Sequence, residues 1–166
     1  MMLRKIFAGI LLVISIQASA SNEAFNSPLE IGIVPPIQYP AKEYGVLGLR
    51  LTVVGINREV GGLDLGILGN VTNQKFTGLA ISGLFNLNQM LCTVVGLQAA
   101  IVANINSGQS DVYGLQLALY NKTTSVHGLQ LGLINVTQSL HGLQIGLINI
   151  NSTGMFRASP ILNFGW

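Results

Sequence analysis

Few side chains in this sequence are of a type that does chemistry. His127 and His141 occupy the same place in two neighbouring copies of a repeated unit, so their imidazoles could lie within reach of one another. A metal ion needs a third ligand, and no carboxylate or thiolate stands nearby to complete such a set. Tyr113 holds the equivalent place one copy earlier, and that position suits an amphipathic ring at an interface better than a ligand. Cys92 is the only cysteine, which excludes an intrachain disulfide, and its apolar neighbours on both sides predict a buried thiol. Asp64 and Asp111 are the only aspartates; no nucleophile elbow accompanies them, and the glycines recur inside strand patterns instead of opening a helix as a phosphate loop does. No catalytic, cofactor-binding or metal-ligating residue is therefore assigned, and the chain is read as a non-enzyme.

What these residues share is a repeat. The stretch Val126–Ile150 reads VHGLQLGLINVTQSLHGLQIGLINI, one unit written almost twice, and looser copies fill the chain before it. The template is an apolar residue, any residue, Gly-Leu, then alternating apolar positions, closed by an Asn seven to nine residues after the Gly. The glycines are Gly48, Gly62, Gly78, Gly96, Gly114, Gly128 and Gly142, each followed by Leu, and two residues before each stands Val46, Val60, Phe76, Val94, Val112, Val126 or Leu140. Self-similarity at this many positions marks an array of equivalent supersecondary units.

The repeat begins only after two other segments. Residues 1–20 carry Arg4 and Lys5, an apolar run from Ile6 to Ile16, and Ala18-Ser19-Ala20, the pattern of a secretory signal peptide cleaved after Ala20. Without it, six basic side chains (Lys42, Arg50, Arg58, Lys75, Lys122, Arg157) face six acidic ones (Glu23, Glu30, Glu43, Glu59, Asp64, Asp111), so the alkaline isoelectric point points to no nucleic-acid partner. From Val112 to Trp166 only Lys122 and Arg157 are charged, which requires that this half hide its faces in a core, a partner or a membrane. Residues 21–44 hold four prolines and no copy of the repeat, and read as an extended arm preceding a single repeat-built β domain over 45–166.

Each copy alternates with a period of two, so the class is all-β. In Val126–Val136 one face carries His127, Leu129, Leu131 and Leu133, the other Gly128, Gln130 and Gly132. The leucine face is expected to be the buried or lipid-facing one. Polar turn residues follow each closing Asn, and no proline interrupts the chain between Pro40 and Pro160. Two architectures use this pattern. In an antiparallel meander the strands would be 46–55, 60–70, 76–86, 94–105, 112–121, 126–136, 140–150 and 158–166, closing as a small outer-membrane-type β-barrel of about eight strands, each of which spans roughly 25 Å. Alternatively each copy is one short coil of a β-solenoid with its Asn residues stacked. The glycine spacings of 14, 16, 18, 18, 14 and 14 are all even, as the in/out parity of a meander demands, and favour the barrel.

The chain ends on Leu162, Phe164 and Trp166, alternating on one face, which looks like the C-terminal assembly signal of outer-membrane barrels. Taken together, PPIQYP, GLRLTVVGINREVGGLDLG, the repeated GLQxGLxN and PILNFGW resemble a family of bacterial surface-repeat proteins described from spirochaetes and found in other bacteria with two membranes. The third and fourth copies depart from that pattern at Gly78-Leu79-Ala80-Ile81 and Gly96-Leu97-Gln98-Ala99-Ala100. The resemblance implies export to the outer membrane or cell surface and brings no activity or binding residues with it. The expected function is structural, adhesive or interaction-based, with outer-membrane lipid and the barrel-assembly machinery as partners and a surface partner besides. The alternative is a periplasmic or secreted solenoid that serves as a binding scaffold.

Overall fold

A computed structural model describes residues 26–89 and 92–166; the expected leader at residues 1–20 lies outside them. The described chain is all strand and turn: β1 (Asn26–Val34), β2 (Ile37–Tyr39), β3 (Gly45–Ser82), β4 (Phe85–Asn88), β5 (Thr93–Ala100), β6 (Ala103–Asn106), β7 (Asp111–Leu117), β8 (Tyr120–Lys122), β9 (Ser125–Leu131), β10 (Ile134–Thr137), β11 (Ser139–Asn151) and β12 (Ala158–Gly165). They form a β-solenoid of about seven turns, not a barrel. The expected meander, its transmembrane strands and its barrel closure are overturned by the direction of pairing. Copies lie parallel, like on like: Gly96 on Gly114, Leu97 on Leu115 and Gln98 on Gln116 between β5 and β7, and the same residues of the next copy between β7 and β9 and then β9 and β11.

The segments 76–86, 94–105, 112–121 and 126–136, each expected to be one membrane strand, instead turn a corner and divide over two strands of one coil. Segments 46–55 and 60–70 run within β3, 140–150 runs within β11, and 158–166 holds the antiparallel strand β12. β9 and β10 make one such coil, joined through Gly132-Leu133, and the polar residues Gln138-Ser139 turn the chain into the next. The even glycine spacing has a different origin from meander parity. Against the 14-residue coil of Gly128, the copies of Gly62, Gly78 and Gly96 carry one extra residue before the Asn, at the first corner, and one or three more at the second. Two odd insertions sum to an even one.

The side chains turned inward are the second correction. Gln116, Gln130 and Gln144 are fully buried, as are Asn104, Asn121, Asn135 and Asn149, whereas the leucines expected to be buried lie half-buried or exposed on the outside. A lone amide is costly to bury, but a column of identical amides is not. Each NH2 donates to the oxygen of the copy before it: Gln116 to Gln98 at 3.0 Å, Gln130 to Gln116 at 2.8 Å, Gln144 to Gln130 at 2.7 Å. On the facing wall the column runs Asn70–Asn86–Asn104–Asn121–Asn135–Asn149, with contacts of 2.8–3.1 Å. Coils stacked about 4.8 Å apart set this spacing, and only a parallel, in-register stack lets every amide donate one way and accept the other. The two walls meet inside, where Asn106 donates to Gln98 Oε1 at 3.2 Å.

The largest share of the apolar burial is in the column two residues before each Gly, where Val60, Phe76, Val94 and Val112 pack with Ala80 and Cys92; Val71, Ala103 and Ala118 are buried elsewhere. The repeat glycines are required by close approach: a Cβ on Gly114, at φ +142°, would sit 2.0 Å from the Gly96 carbonyl oxygen. Both ends of the stack are covered. The segment read as an arm supplies β1, parallel to the first coil, and β2, which folds back on it; β12 pairs antiparallel with β11 at the other end.

Candidate functional site

The residues singled out for chemistry do not assemble into a centre. His127 and His141 do stack, with ring centroids 4.5 Å apart and planes 12° from parallel, and Tyr113 extends the stack at 4.7 Å. Among the described residues no group of three or more His, Cys, Asp and Glu is placed to hold a metal ion. Cys92 is buried beside Phe76 and Val94, and burial pushes its thiol up to about 12. Asp111 is exposed and Asp64 is interior, so the two aspartates do not meet.

A buried charged cluster escaped the sequence reading. The inward position two residues after each Gly runs Arg50, Asp64, Ala80, Gln98, Gln116, Gln130, Gln144, and Glu30 of β1 pairs onto Arg50 in register. Arg50 donates to both Asp64 oxygens, at 2.7 and 2.6 Å, to Asn57 Oδ1 at 2.8 Å and to the Val71 carbonyl at 3.2 Å. All four polar residues of the cluster are wholly buried. Burial pushes the Glu30 carboxyl up to about 7, against the pull of Arg50 and Asn57. Burial likewise raises Asp64, opposed by the Arg50 charge and its hydrogen bonds. The signal lay in the shared offset from the glycines, which carries Arg and Asp where later copies carry Gln. Sealed from solvent and set apart from the amide column by Ala80, the cluster reaches no substrate.

The outer surface is the larger feature. One, three and five residues after each Gly the side chains point outward, in rows such as Leu115, Leu129, Leu143, then Leu117, Leu131, Ile145, then Leu119, Leu133, Leu147. The third row follows the corner between the two walls and is the barest: Ile67 is 70 %, Ile101 67 % and Leu147 66 % exposed. Past the corner Leu68, Leu84, Val102, Ile134 and Ile148 continue the apolar surface down the second wall. Polar and charged residues gather at the opposite corner: Arg58-Glu59, Asn73-Gln74-Lys75, Ser107 to Asp111, Thr124-Ser125 and Gln138-Ser139. Among the described residues the outward rows one, three and five residues after Gly carry no charge; the exposed charges on the paired strands, Lys75, Asp111 and Lys122, stand toward the polar corner. The solenoid is thus a blade with an apolar edge and a polar spine, apolar outside and polar within.

At the C-terminal end Phe164 stacks on Trp166 at 5.5 Å and meets Phe156 edge-on at 6.0 Å. Leu162, Phe164 and Trp166 lie exposed at the C-terminal end, where β12 caps the stack by pairing antiparallel with β11. The depression between these rings and His141 holds about 220 Å³, less than the roughly 300 Å³ at which small-molecule pockets begin. Comparison with known protein families, curated proteins and solved structures finds no match for this chain.

Proposed function

We propose that this chain is an exported, non-enzymatic repeat protein of the bacterial envelope, a β-solenoid scaffold whose apolar outer walls are its binding surface. The observation that carries the reading is the inversion of polarity along the whole stack. Rows of Leu and Ile stand outside while the amides are enclosed, and soluble monomers rarely leave a contiguous apolar patch of more than a few hundred Å² uncovered. The signal-peptide pattern in residues 1–20 and the resemblance to surface-repeat proteins support an envelope location. The absence of an acid, base or nucleophile grouping in the sequence supports a binding role over catalysis.

Fractionation of the producing cell tests this. The chain should be recovered with the envelope, trimmed at its N-terminus, and the paired substitution Leu119→Asp with Leu133→Asp should release it into the soluble periplasmic or culture fraction. Recovery of an untrimmed, folded chain in the cytoplasm would defeat the proposal.

A further inference from the structure

Which partner covers the apolar edge follows from its shape and zoning. We infer that the blade inserts edge-first into one leaflet of a lipid bilayer and lies in it as a monotopic protein, with its spine in water. The inference rests on reading the outer walls as the binding face, and adds the occupant and the depth.

Four observations converge on lipid. The apolar rows begin one residue after Gly and end five residues after it, four strand steps of about 3.3 Å, so the band is about 13 Å deep; one leaflet contributes roughly 15 Å of hydrocarbon. Directly above that band, one residue before Gly, runs the stacked column Tyr113–His127–His141, with Asp111, Ser125 and Ser139 beyond it. Amphipathic rings between an apolar and a charged zone are the arrangement found at the headgroup level of membranes. Lys122, the charge on the second wall, stands next to Thr123 on the spine side, where a long aliphatic stem can carry its ammonium to the interface. In the row at the edge Gly83 replaces the usual Leu or Ile, which leaves an apolar groove of about 550 Å³ between Leu51, Ile67, Ile81 and Ile101 that suits an acyl chain.

A second copy fits less well. The apolar rows cover both walls and the corner between them, so a second copy laid on one wall would leave the other bare, whereas fluid hydrocarbon conforms to both. Backbone groups also need no partner from the lipid along the stack, because the coils hydrogen-bond to one another and β1 and β12 cover the terminal coils. Among the described residues no helix is long and apolar enough to cross a membrane.

The test uses purified chain and vesicles of phosphatidylethanolamine and phosphatidylglycerol. Trp166 is the only tryptophan, so a Trp166→Phe background accepts a single reporter at the edge (Leu133→Trp) or on the spine (Gln138→Trp). The chain should float with the vesicles, and lipid brominated at mid-chain should quench the edge reporter at least threefold more than the spine reporter. Leu119→Asp with Leu133→Asp should lower flotation at least tenfold with the circular dichroism unchanged; the reporters keep the test decisive if that variant misfolds. Equal quenching of both reporters, or a folded chain that stays at the bottom of the gradient, overturns the insertion. Should the chain fail to float but self-associate in sedimentation with a lipid-independent blue shift of the edge reporter, the occupant is a second copy and the binding-face reading survives. If it neither floats nor associates and the edge aspartates leave its cellular fractionation unchanged, both fall.

Discussion

Replacing Gln130 with Glu probes the interior most sharply, because it changes one atom in the middle of the amide column. Gln130 donates to Gln116 Oε1 at 2.8 Å and accepts from Gln144 Nε2 at 2.7 Å, with no exposure to solvent. A neutral carboxylic acid can make both bonds, through its hydroxyl and its carbonyl. A carboxylate can only accept, would leave Gln116 Oε1 without its donor, and would be a charge without a counter-ion. The folded variant therefore retains the proton, while the unfolded chain releases it at about pH 4.3. The folded-state pKa lies above the unfolded one, so full stability is present below about pH 4.3 and is lost as pH rises, by about 1.4 kcal/mol per unit until the folded-state value is reached. At pH 7 the loss relative to wild type is about 3–4 kcal/mol, and at pH 5 about 1 kcal/mol. Urea unfolding of both proteins at the two pH values measures the difference. Equal destabilisation at pH 5 and pH 7 would refute the buried, self-satisfied column. Leu133→Asp, on the outer edge, should cost under about 1 kcal/mol in lipid-free buffer, the reverse of what a buried leucine face requires.

Glu30→Gln should act with the opposite sign. Burial holds the Glu30 carboxyl at about 7, so wild-type stability falls between about pH 4.5 and 7; the amide should be close to neutral at pH 5 and stabilising by about 2–3 kcal/mol at pH 8, read from the same titrations. Asp64→Asn removes the carboxylate that Arg50 bonds through two nitrogens and should cost about 3–5 kcal/mol, whereas Arg50→Gln with Asp64→Gln replaces the ion pair by two stacked amides, set apart from Gln98 by Ala80, and should unfold at higher urea than the single variant. Gly114→Ala should prevent folding or lower the unfolding midpoint severely, since its methyl meets the Gly96 carbonyl oxygen at 2.0 Å. Gly154→Ala, outside the glycine column and facing the Asn151 side chain, should be milder by circular dichroism.

The sequence by itself determined the array. Glycines with a shared register, a two-residue alternation and an Asn at each end define equivalent β units and place Val or Phe two residues before Gly, where the apolar core lies. It also offered both a meander and a solenoid, because alternation says only that a strand has two unlike faces. Which face is inside, and whether neighbours run parallel, is a property of the pairing. Read in one copy, Gln130 is a polar residue that should face water and Leu131 an apolar one that should not. Stacked parallel and in register, Gln130 finds its donor and acceptor in Gln116 and Gln144, the cost of burying an amide is met, and the leucines are left outside. The Arg50–Asp64 pair was hidden for the same reason: 14 residues apart in sequence, the two become neighbours only when one coil lies on the next, and hydrogen bonding between coils is the tertiary fact that no single copy contains.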